Sequence, residues 1–390
     1  MHQASIRAAV ARSPRMAAAP SSGWGDDSAV KPQLSPTLEL VTTPAPRSVW
    51  RELLQRDERA LISQTPEWLD AACAVTGGQD ASRLYEWSDG RSLVLPLVRR
   101  SVGRASLVRV ESMPASWGAG GVVSAVAPLE HDTRAIFDDL AKLRALRVGI
   151  QPAHSIDRTW SDGAPAGAVR TTHMRQVLDL RGGFSEVFAT RFSASTRRNT
   201  RKAESACLTV ESGTSIALID DFYKLFEQWT AQRARDRHIP MWLAMRLARR
   251  REPRSKYEEV ADRLGSACRI WVARDGGQAV AAAISLTHRS HAVYWRGTSD
   301  RAAAGRTRAN ANALLQKLMI EDACASGCVD YDMGESGGVK SLIEYKGRFG
   351  AEEVAYDEYR IERLPLTALE RRVSALTGTV ERTLQRIAAR

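Results

Sequence analysis

From Leu38 onward, apolar residues recur in two rhythms: alternation over four to eight positions, and three-and-four spacing over longer stretches. The first rhythm marks strands and the second amphipathic helices. The pattern predicts a strand LELVTT, a helix from Trp50 and a helix PEWLDAACAV from Pro66. Three strands follow, RLYEW, SLVLPLVRR and ASLVRVES, and Ser88-Asp89-Gly90 turns the first two into a hairpin. Next come a Trp/Gly-rich loop at 116–121, a helix HDTRAIFDDLAKLRAL and a strand near 147–151. Residues 157–167 read as a Pro/Gly loop.

A strand RQVLDL and a short Arg181-Gly182-Gly183 turn lead into a second pass through the same order. Ser193 and Ser195 are candidate caps for a helix through Ala206. A strand CLTVES follows, then a helix over 216–235 whose Ile219, Phe222, Tyr223, Phe226 and Trp229 share one face. Another helix covers 256–264. Strands CRIWVAR and AVAAAISLTH, joined at Asp275-Gly276-Gly277, precede the strand HAVYWRGT. A helix over 308–325, a strand CVDYDMG, a helix over 339–349 and a strand EVAYDEYRIE complete the pass. Hairpin strands followed by a β-α-β crossover predict an α/β fold with a mixed sheet, built twice in tandem.

Composition narrows the class. The chain has 390 residues, enough for two cores, and no apolar run long enough to span a bilayer. Residues 1–36 are rich in Ala, Ser, Pro and Gly, lack an apolar signal core, and read as a disordered extension. The five cysteines have neither an even count nor metal spacing, which fits free thiols in a reducing cytoplasm. The net charge of +11 is local: 181–260 holds 16 Lys or Arg against 10 Asp or Glu, the tail 366–390 holds five Arg against two Glu, and residues 1–36 hold four bases against two acids. Such excess suits an anionic partner, and the tail, read as helical, is a candidate for peripheral membrane contact.

Three constellations could carry chemistry. Gly305, Arg306 and Arg308 precede a helix whose free N–H groups suit a pyrophosphate, though a solvated loop capping a helix has the same pattern. The end of the strand CVDYDMG delivers Asp332, Gly334, Glu335 and Ser336 to a sheet edge, where ligand crevices open. Tyr345 and Lys346 follow on a helix; a lysine can stabilise an oxyanion and a tyrosine can protonate a departing thiolate. Lastly, Arg197, Arg198, Arg201 and Lys202 crowd one helix with no acid between Thr190 and Ala203, as a solvated face or as a seat for phosphates. No RRM, KH or zinc pattern is present, so sequence-specific nucleic-acid or DNA reading is not expected. No metal site is expected either.

The run Asp332-Met333-Gly334, followed by Gly337-Gly338 and then Tyr345-Lys346 ahead of Phe349-Gly350, resembles the signature of FemAB-like transferases in the GNAT superfamily. The basic helix RFSASTRRNTRKA, the helix DFYKLFEQWTAQR and the stretch SQTPEWLDAA…LPLVRR…SMPASWGAGG are similar to other parts of that family, over about 38–364. The resemblance implies two tandem GNAT-like domains, 37–180 and 181–365. It implies an N-acyltransferase in which Trp295 lies on the strand that holds the acyl carbonyl. Gly305, Arg306 and Arg308 would then serve the donor, and Lys346 would lie near the transferred group with Glu335 and Tyr345 beside it. Tyr345 stands where the family often has Phe. Asp332, Ser336 and the basic helix would meet the acceptor. The long helical arm of aminoacyl-tRNA users is replaced by MWLAMRLARRREPRSKYEEV, which favours acyl-CoA, acetyl-CoA first, or the small tRNA-dependent members that lack the arm, over the arm-bearing aminoacyl-tRNA users. The acceptor class implied is an amine on a cell-envelope or polysaccharide precursor or a natural product. A non-catalytic scaffold retaining the fold is the reading from another class.

Overall fold

The computed structural model describes residues 36–103, 107–153, 157–206, 208–300 and 310–372. The extension through residue 35 and the tail from residue 373 lie outside the described residues, as do Gly305, Arg306 and Arg308; the tail's start, 366–372, is helical.

Local chemistry sets the elements. Thr65 accepts the Trp68 amide at 3.3 Å to cap the helix Pro66–Thr76, which Gly77 ends in the left-handed region at φ 63°. Ser193 caps the helix Ala194–Glu204 and Ser215 caps Ile216–Asp236. On the latter, Ile219 and Phe222 are buried, whereas Tyr223, Phe226 and Trp229 are only partly so. Gly276 and Gly277, both at positive φ, make the two-residue turn that pairs Asp275 with Gln278.

The strands are β1 (Leu38–Thr42), β2 (Gln79–Asp80), β3 (Arg83–Trp87), β4 (Ser92–Leu95), β5 (Val98–Val102), β6 (Leu107–Ser112), β7 (Val123–Ser124), β8 (Arg147–Ile150), β9 (Val169–Asp179), β10 (Leu208–Gly213), β11 (Cys268–Asp275), β12 (Gln278–His288), β13 (His291–Ser299), β14 (Asp330–Glu335) and β15 (Glu352–Glu362). They form a four-stranded sheet, β1-β3-β4-β7, and an 11-stranded sheet, β10-β11-β12-β13-β14-β9-β15-β8-β6-β5-β2. The expected single strand SLVLPLVRR is two: Pro96, with no N–H to donate, separates β4 in the small sheet from β5 in the large one. Strand β9 lies between β14 and β15, and β15 in turn pairs with β8.

The loop expected over 157–167 is instead opened by a helix, Asp157–Gly163. Its Trp160 is fully buried, edge-on to Phe137 at 5.6 Å, and that one anchor outweighs the loop-forming composition. A helix Met241–Arg251, not expected as an element of its own, precedes the helix Arg254–Leu264.

The second half of the large sheet is packed on both faces. One face carries Ile270, Val272, Ile284 and Trp295 against Phe222, Tyr257 and Val260 of the helices Ile216–Asp236 and Arg254–Leu264. The other carries Trp271, Ala273, Tyr331 and Leu178 against Leu315, Met319 and Phe349. The helices Ala311–Ala325 and Lys340–Gly347 lie on this second face.

Candidate active site

The site begins where two parallel strands part. β13 pairs with β14 only at His291–Val293 and Asp330–Asp332. Beyond that, β13 follows β12 while β14 turns toward β9, leaving a wedge open in the sheet. The β12 register slips here, from Arg296 opposite Ile284 to Tyr294 opposite Ser285, so Trp295 is the extra residue of a bulge. Bulges leave a residue unpaired and re-aim its neighbours. The Tyr294 hydroxyl lies so close to Gly297 that an added Cβ would stand 1.7 Å from it. A larger residue at Gly297 would therefore displace the Tyr294 ring from its place beside the bulge. Gly334, at φ 72°, lets the other wall bend away. Asn310 caps the helix that starts at Ala311 by accepting the Ala313 amide at 3.0 Å. Tyr345 reaches that helix start, its hydroxyl 3.4 Å from the Asn312 carbonyl, and burial pushes its phenol far above the ordinary range.

Lys346 is buried one residue on. Its ammonium donates to the Gly334 carbonyl at 2.7 Å, the Glu335 carbonyl at 3.0 Å and Gln176 Oε1 at 3.1 Å. Burial lowers its pKa to about 8. All three protons are spent on pinning the bent end of β14. The same Gln176 oxygen accepts from Ser336 Oγ at 2.6 Å, so Ser336 belongs to that pin.

On the opposite face of the sheet lies a second polar group. Alternation along β9 sends Gln176 to one side and His173 and Arg175 to the other. Tyr356 is the hub: its hydroxyl donates to Glu335 Oε1 and accepts from Gln151 Nε2 at 2.9 Å. The Arg175 guanidinium lies 4.0 Å over the Tyr356 ring and pairs with Asp332 at 3.0 Å. His173 stacks on Tyr356, with Nε2 3.2 Å from Glu358 and Nδ1 3.9 Å from Glu335. The hydrogen bond to Glu358 holds the imidazole pKa above its ordinary value. Glu335 is the most exposed member, its side chain 48% accessible.

Of the sequence-predicted residues, Glu335 and Asp332 join this hub, Tyr345 and Trp295 flank the wedge, and Lys346 and Ser336 form the pin behind it. The basic helix splits. Arg197 is committed to the Ala189 and Phe192 carbonyls, while Arg198, Arg201 and Lys202 are exposed, with the Arg201 guanidinium over the Phe188 ring. Sequence reasoning gives no role to His173 and misses Tyr356, Arg175 and Gln176. The alternating run VRTTHMRQVLD extends the predicted strand back to Val169 and carries three of the four.

The description of a GNAT acetyltransferase domain matches residues 190–347. That span contains the parting strands, the bulge and, in the pin, Lys346 and Ser336, while Gln176 of β9 lies outside it. By that match residues 190–347 form a GNAT-type domain, and the chain as a whole shares the fold of FemX. The crystal structure of FemX superposes with a TM-score of 0.62 at 13% identity, over 85% of this chain and 99% of that one. A conserved protein of unknown function from Bacteroides thetaiotaomicron VPI-5482 superposes with a TM-score of 0.52 at 10% identity, over 81% of this chain and 97% of that one. No curated protein matches the chain in sequence. Within the matched residues, β13 and β14 are the parting strands, and the helix Ala311–Ala325 follows the first of them.

Proposed function

We propose that this chain is an N-acyltransferase that moves an acyl group from acyl-CoA, acetyl-CoA in the simplest case, to an amine. The observation that carries the reading is the parting of β13 and β14 beside the bulge at Trp295, with Glu335 at the mouth. The donor carbonyl would enter the wedge, where a backbone N–H freed by the bulge can meet the developing oxyanion. The amine approaches from the Tyr356 face. Its nitrogen forms the new C–N bond, the C–S bond breaks, and the amine proton passes to Glu335, directly or through one water. The thiolate leaves beside the Tyr345 hydroxyl, which burial keeps protonated so that it can donate a hydrogen bond to the departing sulfur, and the proton that completes the thiol comes from solvent. The acceptor we favour is a small amine on an envelope, polysaccharide or natural-product precursor, and its anionic part would sit at Asp332-paired Arg175 or at Arg198 and Lys202. The domain division at 180 and 181 is part of this proposal, with the acceptor groove between the halves.

The test is thiol release from acetyl-CoA with a panel of amines. Glu335→Gln is expected to lower kcat by about a hundredfold or more; release at the parental rate sinks the assignment. Aminoacyl-tRNA is the alternative donor, and charged tRNA retained through purification, with no CoA ester, would replace acyl-CoA.

A further inference from the structure

The helix Met241–Arg251 has an odd surface for its position. It buries no residue, and its packing is against the helix Ile216–Asp236. An isolated helix this short is marginal in water, so a buried apolar stripe is the expected device for holding it. Instead several of its apolar residues lie outward. Trp242 is 66% exposed and Leu247 57%, and Ile239 and Met241 just before and at its start are exposed as well. Trp242, Arg246 and Arg250 are spaced four apart along one ridge, with Leu243 and Leu247 along the next.

The charge on this helix has one sign. It carries Arg246, Arg249, Arg250 and Arg251 and no acid. Arg249 pairs with Glu227 at 2.8 Å; among the described residues Arg246 and Arg250 have no acidic partner. We propose that this helix is a docking element for an anionic phospholipid surface. An aromatic ring and leucines set among arginines match the boundary where acyl chains meet charged headgroups. Each arginine near such a surface strengthens binding about fivefold. A second copy of the helix is the wrong partner, because the two sets of arginines would face each other. Nucleic acid would use the arginines but leave Leu247, Ile239 and Met241 in water.

The experiment is flotation of the full chain with vesicles of phosphatidylcholine alone and with phosphatidylglycerol added. Binding is expected only with phosphatidylglycerol, with a blue shift in tryptophan emission that Trp242→Ala removes. Arg246→Gln with Arg250→Gln should weaken binding about 25-fold. Trp242→Ala with Leu247→Ala should weaken it while leaving all the charge in place. A chain ending at residue 372 should bind as the full chain does. The proposal is overturned by no binding to phosphatidylglycerol vesicles, or by no effect of either pair. Loss of binding with the tail overturns it too, as does indifference to the apolar pair, which would mean attraction by charge alone. Because every variant lies outside the wedge, thiol release in solution should be unchanged; a folded, active chain that ignores vesicles therefore counts against docking and leaves the transferase reading intact.

Discussion

At the scale of single residues, the lysine of the Tyr-Lys pair supports the site's shape. Three acceptors converge on a buried ammonium, and removing it strands the Gly334 and Glu335 carbonyls. Lys346→Met is expected to cost about 3 kcal/mol in urea unfolding, because buried acceptors lose a charged donor. Full stability with activity lost would instead give Lys346 a direct chemical role. His173 makes a pH prediction. Its folded pKa is raised, so its stabilising contribution is complete below the ordinary value of about 6.5 and is lost as pH rises through the folded pKa. Activity should move the other way. An imidazolium at the mouth repels a protonated amine acceptor; as the charge is lost, kcat/KM should rise. His173→Gln should remove this limb of the profile, and a limb that persists would assign it to another group.

At the scale of elements, capping and periodicity make most helices and hairpins legible in the amino-acid sequence. Ser193, Thr65 and Gly77 are local signals and act locally. What the sequence hides depends on partners distant along the chain. Trp160 turns a Pro/Gly stretch into a helix only because Phe137 is there to meet it. Tyr356 reads as an ordinary strand tyrosine until β9 places His173 and Arg175 on it. The motif at 332–346 locates the wedge, but the division of labour between Lys346 and Glu335 follows from which face of the sheet each group occupies. The β12–β13 hairpin carries its own prediction. Arg289 donates to the Leu54 and Gln55 carbonyls, and His291 contacts the Glu58 carbonyl and Asp330, so the hairpin clasps the helix Arg47–Arg56. Beside them, burial lowers the His288 pKa to about 4. Between about 6.5 and that value the unfolded chain takes up a proton that the folded chain refuses, so stability falls with falling pH, by up to roughly 3 kcal/mol. His288→Gln should flatten this part of the pH–stability curve; an unchanged acid slope would place the proton uptake elsewhere.

At the scale of the whole molecule, the two passes through the chain share one sheet by exchange of strands. β9, from the end of the first pass, is hydrogen-bonded on one side to β14 and on the other to β15 from Glu352 to Arg360. β15, from the end of the second pass, continues the sheet into β8 of the first. Neither half can withdraw without breaking ladder hydrogen bonds along both β9 and β15. Arg147 adds a tie at the same seam, buried against Glu362 at 2.7 Å and reaching Glu370 at 3.0 Å. The halves are therefore expected to unfold together. Tryptophan emission, which reports Trp50 and Trp68 of the first pass and Trp271 and Trp295 of the second, should trace one urea transition coincident with far-ultraviolet circular dichroism. Limited proteolysis should spare the Arg181-Gly182-Gly183 turn. Although the turn is a natural linker by composition, Arg191 anchors it through the Asp179 carboxylate at 2.9 Å and the Arg181 carbonyl at 3.4 Å. Separate transitions, or an early cut at Gly182, would mean that the exchanged strands do not couple the halves, and the acceptor groove proposed between them would then lose its fixed geometry.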